Sequence, residues 1–417
     1  MHRRDFLKSS FRGSAGLLFA SSGVIRNMKN IDSSASLFKS EHPDDIRITR
    51  IVGFNLTSHR IKQVGNNAVG GVHGREAVDR MVRLMTNTGL EGIGRCYADE
   101  QILVSLLGKN PFTYYQPGEK RMQCSLGVHT MPLWDLVGKS LHKPVYDLLG
   151  HKGYDKVPAY DGSIYFSDLM QEFSGNYADR FRQEIDMGLN RGFRAFKVKV
   201  GRGYKWMDRQ EGYHRDIEVL KIIRTCVGQD IQIGIDANNG HTLSSTKSLL
   251  QELPDYNLSF VEEMFPEEIN ECLELKEFMH KLGWKTLLAD GETQSTPIGL
   301  KPFIDARAID VLQGDLNTFG IEGILTEAAW AEPQGLKVAP HNWGSLLGFY
   351  GQLHLGKALP HFYMAECDPL ESEVLVADGY SIKDGMATVP ETPGFGLKLD
   401  EQKFASSPDI KILFDLS

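Results

Sequence analysis

Cysteine is scarce. The 417-residue chain carries five, Cys96, Cys124, Cys226, Cys272 and Cys367. They are widely spaced, odd in number and contain no CxxC pair, which argues against a zinc–thiolate site and a disulfide-built fold. They read as small buried hydrophobes, and one disulfide stays open to an exported chain. Basic runs are missing beyond the N-terminus. With a net charge of −8 and a pI of about 5.9, the chain offers no polyanion-binding surface, so nucleic acid is excluded as a partner. Apolar runs long enough for a stable membrane span are missing too. Glycine is plentiful at 42 residues, which suits many short turns and backbone-lined sites.

The N-terminus has its own texture. "HRRDFLKSS" puts Arg3 and Arg4 before the short, mildly apolar run "FRGSAGLLFASSGVI". A basic head before such a run resembles an export signal of the twin-arginine type. Residues 1–40 are therefore read as signal and linker, and the expected location is periplasmic or exported.

Residues 44–64 alternate as a strand, the periodicity of 76–90 predicts a helix, and 130–150 reads as helix, turn, short helix. This α+β front segment, 45–155, gives way to a different rhythm. Short apolar strands alternate with helices at 177–189, 209–227, 243–252, 269–282 and 323–335, roughly every 25–30 residues. That alternation predicts an α/β fold with parallel strands, and seven or eight units predict a closed barrel.

Nearly every predicted strand ends in a polar residue: Asp161, Lys197/Lys199, Asp236, Glu262/Glu263, Asp290/Glu292, Asp315, His341 and Glu366. In a parallel barrel these ends share one mouth. Asp236, Glu262 and Glu292 recur at intervals of 26 and 30 residues. Three such carboxylates repel unless a cation joins them, and an oxygen-only set suits Mg²⁺ better than zinc. Spacing alone does not choose between Glu262 and Glu263, nor settle Asp290 beside Glu292. Lys197 and Lys199 share one face of a strand, their roots about 6–7 Å apart. Acids in the same mouth offset their charges, and mutual repulsion is expected to lower one pKa towards that of a general base. Asp315 and His341 lie 26 residues apart on adjacent strand ends, where the carboxylate can orient the imidazole. His129, His151, His354 and His361 have no comparable setting.

In order and spacing, these motifs resemble the enolase superfamily, and within it the mandelate racemase subgroup, over nearly all of residues 45–417. The motifs are "LWDLVGKSLHKPVYDLLG" (133–150), "KVK" (197–199), "DAN" (236–238), "VEE" (261–263), "GE" (291–292), "DVLQGDLNTFGI" and "APHNWGS". The resemblance implies a (β/α)7β TIM-like barrel at 156–370 and an α+β capping domain at 45–155, completed by a return at 371–417. It implies Mg²⁺ on Asp236, Glu262 and Glu292, and Lys199 as base on one substrate face. Lys197 would hold the substrate carboxylate, with Glu366 beside it. His341, held by Asp315, would be the acid/base on the opposite face. The loop "TSHRIKQVGNNAVGG" would contribute specificity. Met264 stands where the family has proline after "EE", and "GRGYKWMDRQEG" is longer and more aromatic than in many relatives.

The implied chemistry is removal of the proton next to a carboxylate. The expected substrate is a small carboxylate, and the expected reaction is dehydration of an aldonate or aldarate to a 2-keto-3-deoxy acid. A racemase, epimerase or cycloisomerase uses the same parts. An exported acid-sugar binding protein without turnover is the reading from another class. A homo-oligomer, dimer to octamer, is implied by resemblance.

Overall fold

The computed structural model describes residues 45–253 and 256–417. The signal-like segment 1–40 lies outside the described residues. The chain opens with three antiparallel strands: β1 (Ile48–Val64), β2 (Gly74–Thr86) and β3 (Glu91–Arg95). The helix expected over 76–90 is instead most of β2. Val78, Met81, Val82 and Met85 fit a helical stripe, but β1 supplies a long partner in register from Ile51↔Leu84 to His59↔Glu76. Non-local pairing overrides local periodicity here. Helices α1 (Met131–Ser140) and α2 (Val145–Leu149) follow, the first packed so tightly on β3 that Gly92 and Gly94 leave no room for a Cβ beside Pro132.

Eight parallel strands then alternate with seven helices. The strands are β4 (Val157–Ile164), β5 (Ala195–Lys199), β6 (Gln232–Asp236), β7 (Leu258–Glu262), β8 (Leu287–Asp290), β9 (Val311–Leu312), β10 (Lys337–Val338) and β11 (Ala365–Cys367). Between them run α3 (Tyr177–Asn190), α4 (Arg209–Val227), α5 (Leu243–Gln251), α6 (Ile269–Lys281), α7 (Pro297–Ala306), α8 (Leu316–Ala331) and α9 (Leu346–Ala358). Each strand from β4 to β9 pairs in parallel with the next. Val338 of β10 bridges Phe362, and β11 pairs back onto β4 at Ala365↔Ala159.

Strand alternation sorts the side chains. On β5, Phe196 and Val198 face the helices, while Ala195, Lys197 and Lys199 share the other face. Tyr160, Ala195, Phe260, Ala289, Val311, Ala339 and Met364 form a separate apolar cluster. Ala195 and Phe260 precede Lys197 and Glu262 by two residues, so this layer floors the polar strand ends.

After β11, Met386–Thr388 pairs antiparallel with Val157 and Pro158. Two later segments reach β1: Leu370–Glu371 pairs with Arg60 and His59, and the last strand, β12 (Ile410–Leu416), pairs with it at Ile51↔Leu416 and Leu56↔Ile410.

Candidate active site

The two lysines of β5 are fully buried and differently held. Lys197 Nζ lies 2.6 Å from Glu262, 2.7 Å from Glu366 and 3.2 Å from Asp236. Lys199 Nζ is bonded to Asp236 and sits 5.1 Å over the Tyr165 ring. Register explains the Lys199 contact: Lys199 pairs with Asp236, and Asp236 with Glu262, across adjacent strands. Burial opposes the charge on Lys197, yet Glu262 and Glu366 carry its pKa well above the ordinary lysine value. The expectation of a lysine lowered by its neighbour thus fails for Lys197, because three carboxylates outweigh one ammonium group.

Asp236, Glu262 and Glu292 come together at this mouth. Burial lifts Glu262 to about 8 despite Lys197, whereas Lys199 and Lys197 overcome burial and keep Asp236 below its usual value. Gln313 Nε2 donates to Glu262 at 2.7 Å, and Asn238 Nδ2 donates to Glu263 at 3.0 Å and Glu292 at 3.3 Å. Asn238 Oδ1 and Gln313 Oε1 are buried without a hydrogen-bond partner. A set of carboxylate and amide oxygens with unused lone pairs fits a hard divalent cation. Asn238, Asn239 and Glu263 all have positive φ, at 41°, 62° and 40°, so the backbone is strained where these side chains are aimed.

Across the mouth, His341 Nδ1 lies 2.6 Å from Asp315 and Nε2 lies 2.9 Å from Glu292. Burial disfavours the imidazolium, but Glu292, Glu366 and Asp315 together raise the His341 pKa well above its ordinary value. Glu366 accepts from the Asn342 backbone at 3.0 Å. All eight residues singled out by the sequence, Lys197, Lys199, Asp236, Glu262, Glu292, Asp315, His341 and Glu366, therefore meet at one set of strand ends.

Two members of the polar ring do not join them. Asp161 accepts from Ser163 at 2.9 Å and packs beside Gly188 of α3. Asp290 turns to Glu263 and Glu267, whose oxygens lie within 4.8 Å of its own. Burial and Glu267 push Asp290 well above the carboxylate range.

Sequence reasoning missed the residues that brace the mouth. Asp79 on β2 accepts from Ser345 Oγ at 2.6 Å and Leu346 N at 3.0 Å, capping α9. Arg60 on β1 forms two 2.7 Å bonds to Asp368, which also accepts from Gly344 N at 3.0 Å. Trp343 stacks on Tyr165 and donates to His73 at 3.0 Å. Isolated charges in a strand pattern gave no signal for these long-range pairs, though Trp343 stood in view two residues after His341. The long "GRGYKW" segment pins the loop between β1 and β2. Lys205 donates to Val69 O at 2.9 Å and Trp206 to Asn67 O at 2.7 Å. Gly201, at φ 97°, passes so close to Ala68 that a Cβ would lie 3.1 Å away. A cavity of about 680 Å³ opens beside the mouth, lined by Gly201, Arg209, Asp216, His241 and Ser245 among others. The strand-end lysines and metal-type carboxylates do not line it, so cavity size is a poorer guide than the chemistry of the side chains.

A base-and-dyad mouth around an oxygen-only cation set defines the enolase superfamily, and the chain belongs to it. Residues 180–403 match the family described as Enolase C-terminal domain-like, and the affinity lies with the mandelate racemase and acid-sugar dehydratase group. The chain is 29% identical over 282 residues to the arabinonate dehydratase of Saccharolobus solfataricus, covering 67% of this chain and 70% of that one. It is 25% identical over 281 residues to the D-galactarolactone cycloisomerase of Agrobacterium fabrum, covering 64% and 69%. Among solved structures it resembles galacturonate dehydratase from Geobacillus sp., complexed with D-galacturonate and 5-keto-4-deoxy-D-galacturonate. The TM-score is 0.80 at 32% identity, covering 86% of this chain and 95% of that one. A variant of that enzyme is complexed with Mg, at 31% identity, a TM-score of 0.81 and coverage of 87% and 96%.

Proposed function

We propose that the chain is a magnesium-dependent acid-sugar dehydratase. It removes the proton next to a carboxylate and expels the neighbouring hydroxyl to give a keto-deoxy acid. The reading rests above all on Lys199 and the Asp315–His341 dyad sharing one mouth with the buried acids. The relatives support the substrate class. In the galacturonate dehydratase product, the keto carbon adjoins the carboxylate and the deoxy carbon follows it, which is this same α,β-elimination.

Asp236, Glu262 and Glu292 would hold Mg²⁺, which supplies positive charge for the substrate carboxylate as the enediolate develops. Lys197, charged and fixed by Glu262 and Glu366, adds a second positive group for that carboxylate. Lys199, as the neutral amine, takes the α-proton and becomes the ammonium, with Asp236 keeping it aimed. His341, raised towards imidazolium and steered by Asp315, gives its proton to the departing β-hydroxyl. The C–H and C–O bonds break, water leaves, and the enol becomes the ketone.

The parallel ladder supports a closed (β/α)7β barrel at 156–370, and β12 on β1 supports a cap built from 45–155 and part of 371–417. Arg3 and Arg4 support export in folded form, which cell fractionation tests. Assembly as a homo-oligomer is proposed from family resemblance and is read by light scattering.

The deciding experiment incubates purified protein and Mg²⁺ with aldonates, uronates and aldarates and assays keto-acid formation. Deuterium entering the α-position without keto product would move the reading to racemase or epimerase. A ring-opened or ring-closed isomer would favour a cycloisomerase, as the Agrobacterium relative is named.

A further inference from the structure

His73 closes the loop between β1 and β2, and its two ring nitrogens are in unlike situations. Nδ1 lies 3.0 Å from Trp343 Nε1. An indole N–H can only donate, so Nδ1 must carry the lone pair and the single proton of the ring sits on Nε2. Nε2 is buried and has no hydrogen-bond partner. A buried N–H left without an acceptor is unfavourable, so an unused donor here points to a ligand oxygen. Burial, then Lys199 and Arg60, pull the His73 pKa down to about 4, which agrees with a ring kept neutral.

The position suits a substrate contact. The His73 ring meets the edge of Tyr165 at 4.8 Å, and the face of Tyr165 carries Lys199. Trp343, its other partner, follows His341 by two residues. His73 thus touches the supports of both the base and the acid. A Cβ on Gly70 would lie 3.3 Å from Nε2, so the loop at 67–70 roofs this corner. The cations around it already have partners. Arg60 is bonded to Asp368, Lys62 to Glu184 at 2.8 Å, and Lys205 to the Val69 carbonyl. A second carboxylate placed here would meet a neutral N–H and no unpaired buried cation among the described residues.

We propose that His73 is a specificity-determining residue whose Nε2–H donates to an uncharged oxygen at the end of the substrate remote from the reacting carboxylate. With this neutral donor and no unpaired buried cation among the described residues at that corner, the site selects acid sugars with one carboxylate, aldonates or uronates, over aldarates. This rests on the dehydratase reading above and narrows its substrate class.

The test compares wild type, His73→Ala and His73→Gln on aldonates, uronates and the aldarates of equal carbon number, with Mg²⁺. Wild type is expected to favour a monoacid over its aldarate by about tenfold or more in kcat/KM, the cost of burying a second carboxylate beside a neutral donor with no cation to pair it. His73→Ala should raise KM for the monoacid about tenfold, leave kcat and the pH profile nearly unchanged, and shrink the preference. His73→Gln, which keeps an N–H donor, should restore part of the loss. Melting curves establish that each variant is folded, and the glutamine variant reads the donor if alanine fails to fold. An unchanged KM in both variants, or a wild-type preference for aldarates, overturns the proposal while leaving the dehydratase intact. No keto product from any acid sugar overturns both.

Discussion

Arg202 and Lys197 are buried cations five residues apart, and the chain treats them in opposite ways. Arg202 bonds Asp168 at 2.8 Å and Asp216 at 2.6 Å, and its guanidinium lies 4.2 Å over Phe166. Nothing is left over, so the knot only holds together the end of β5, α4 and the turn that follows β4. At the mouth, Lys197, Lys199 and His341 face Asp236, Glu262, Glu263, Glu292, Asp315 and Glu366. Acids outnumber bases there, and pKa values move in both directions. A buried charge cluster that balances is architecture, and one that does not is poised for a further cation, a proton or a substrate.

Metal removal should break the contrast most sharply. With a chelator, keto-acid formation should fall to background and return with Mg²⁺, while the unfolding midpoint of the Arg202 knot region shifts far less. Activity that survives exhaustive chelation would remove the metal from the reading. Next in size, Lys199→Ala should slow α-proton exchange into deuterated water by about 10²–10⁴-fold, the usual range for a general base. Equal exchange in variant and wild type would take the base role from Lys199. Arg202→Met should do the reverse and act on stability. It leaves Asp168 and Asp216 buried without their guanidinium, at about 3–5 kcal/mol in urea unfolding. A smaller effect tests a third way of burying an ionisable group, which is to keep it neutral. His354 accepts from Tyr146 N at 3.1 Å, lies 2.8 Å from the Tyr380 hydroxyl, and burial lowers its pKa to about 3. The unfolded imidazole takes a proton near 6.5, so between pH 6.5 and 3 the unfolded state binds more protons. Stability should fall as pH drops, by roughly 2 kcal/mol at pH 5 from this group. Substituting His354→Leu should flatten that part of the pH–stability curve.

The mouth was legible because its residues are local in sequence. "KVK", "DAN", "VEE" and "HNWG" each sit at one strand end, and a parallel fold brings strand ends together without further information. Residues 76–90 were misread because their partner lies on β1, outside any local window. Asp161 and Asp290 were counted into the mouth because a polar strand end shows chemistry but not which way the last pleat turns. His73, Asp79 and Arg60 were invisible for the same reason as β2. Their partners, Trp343, Ser345 and Asp368, lie some 270–310 residues further along the chain.

The pairing of β12 with β1 has a consequence in time. One edge of β1 is covered by β2 soon after both are made, but the other edge gains most of its hydrogen bonds from Ile410–Leu416. At about 5–20 residues per second, that edge waits roughly 20–70 s during synthesis. An open strand edge is a template for pairing with another chain. The growing polypeptide therefore has a long window in which a chaperone, or an identical nascent neighbour, can reach β1 before its own last strand does.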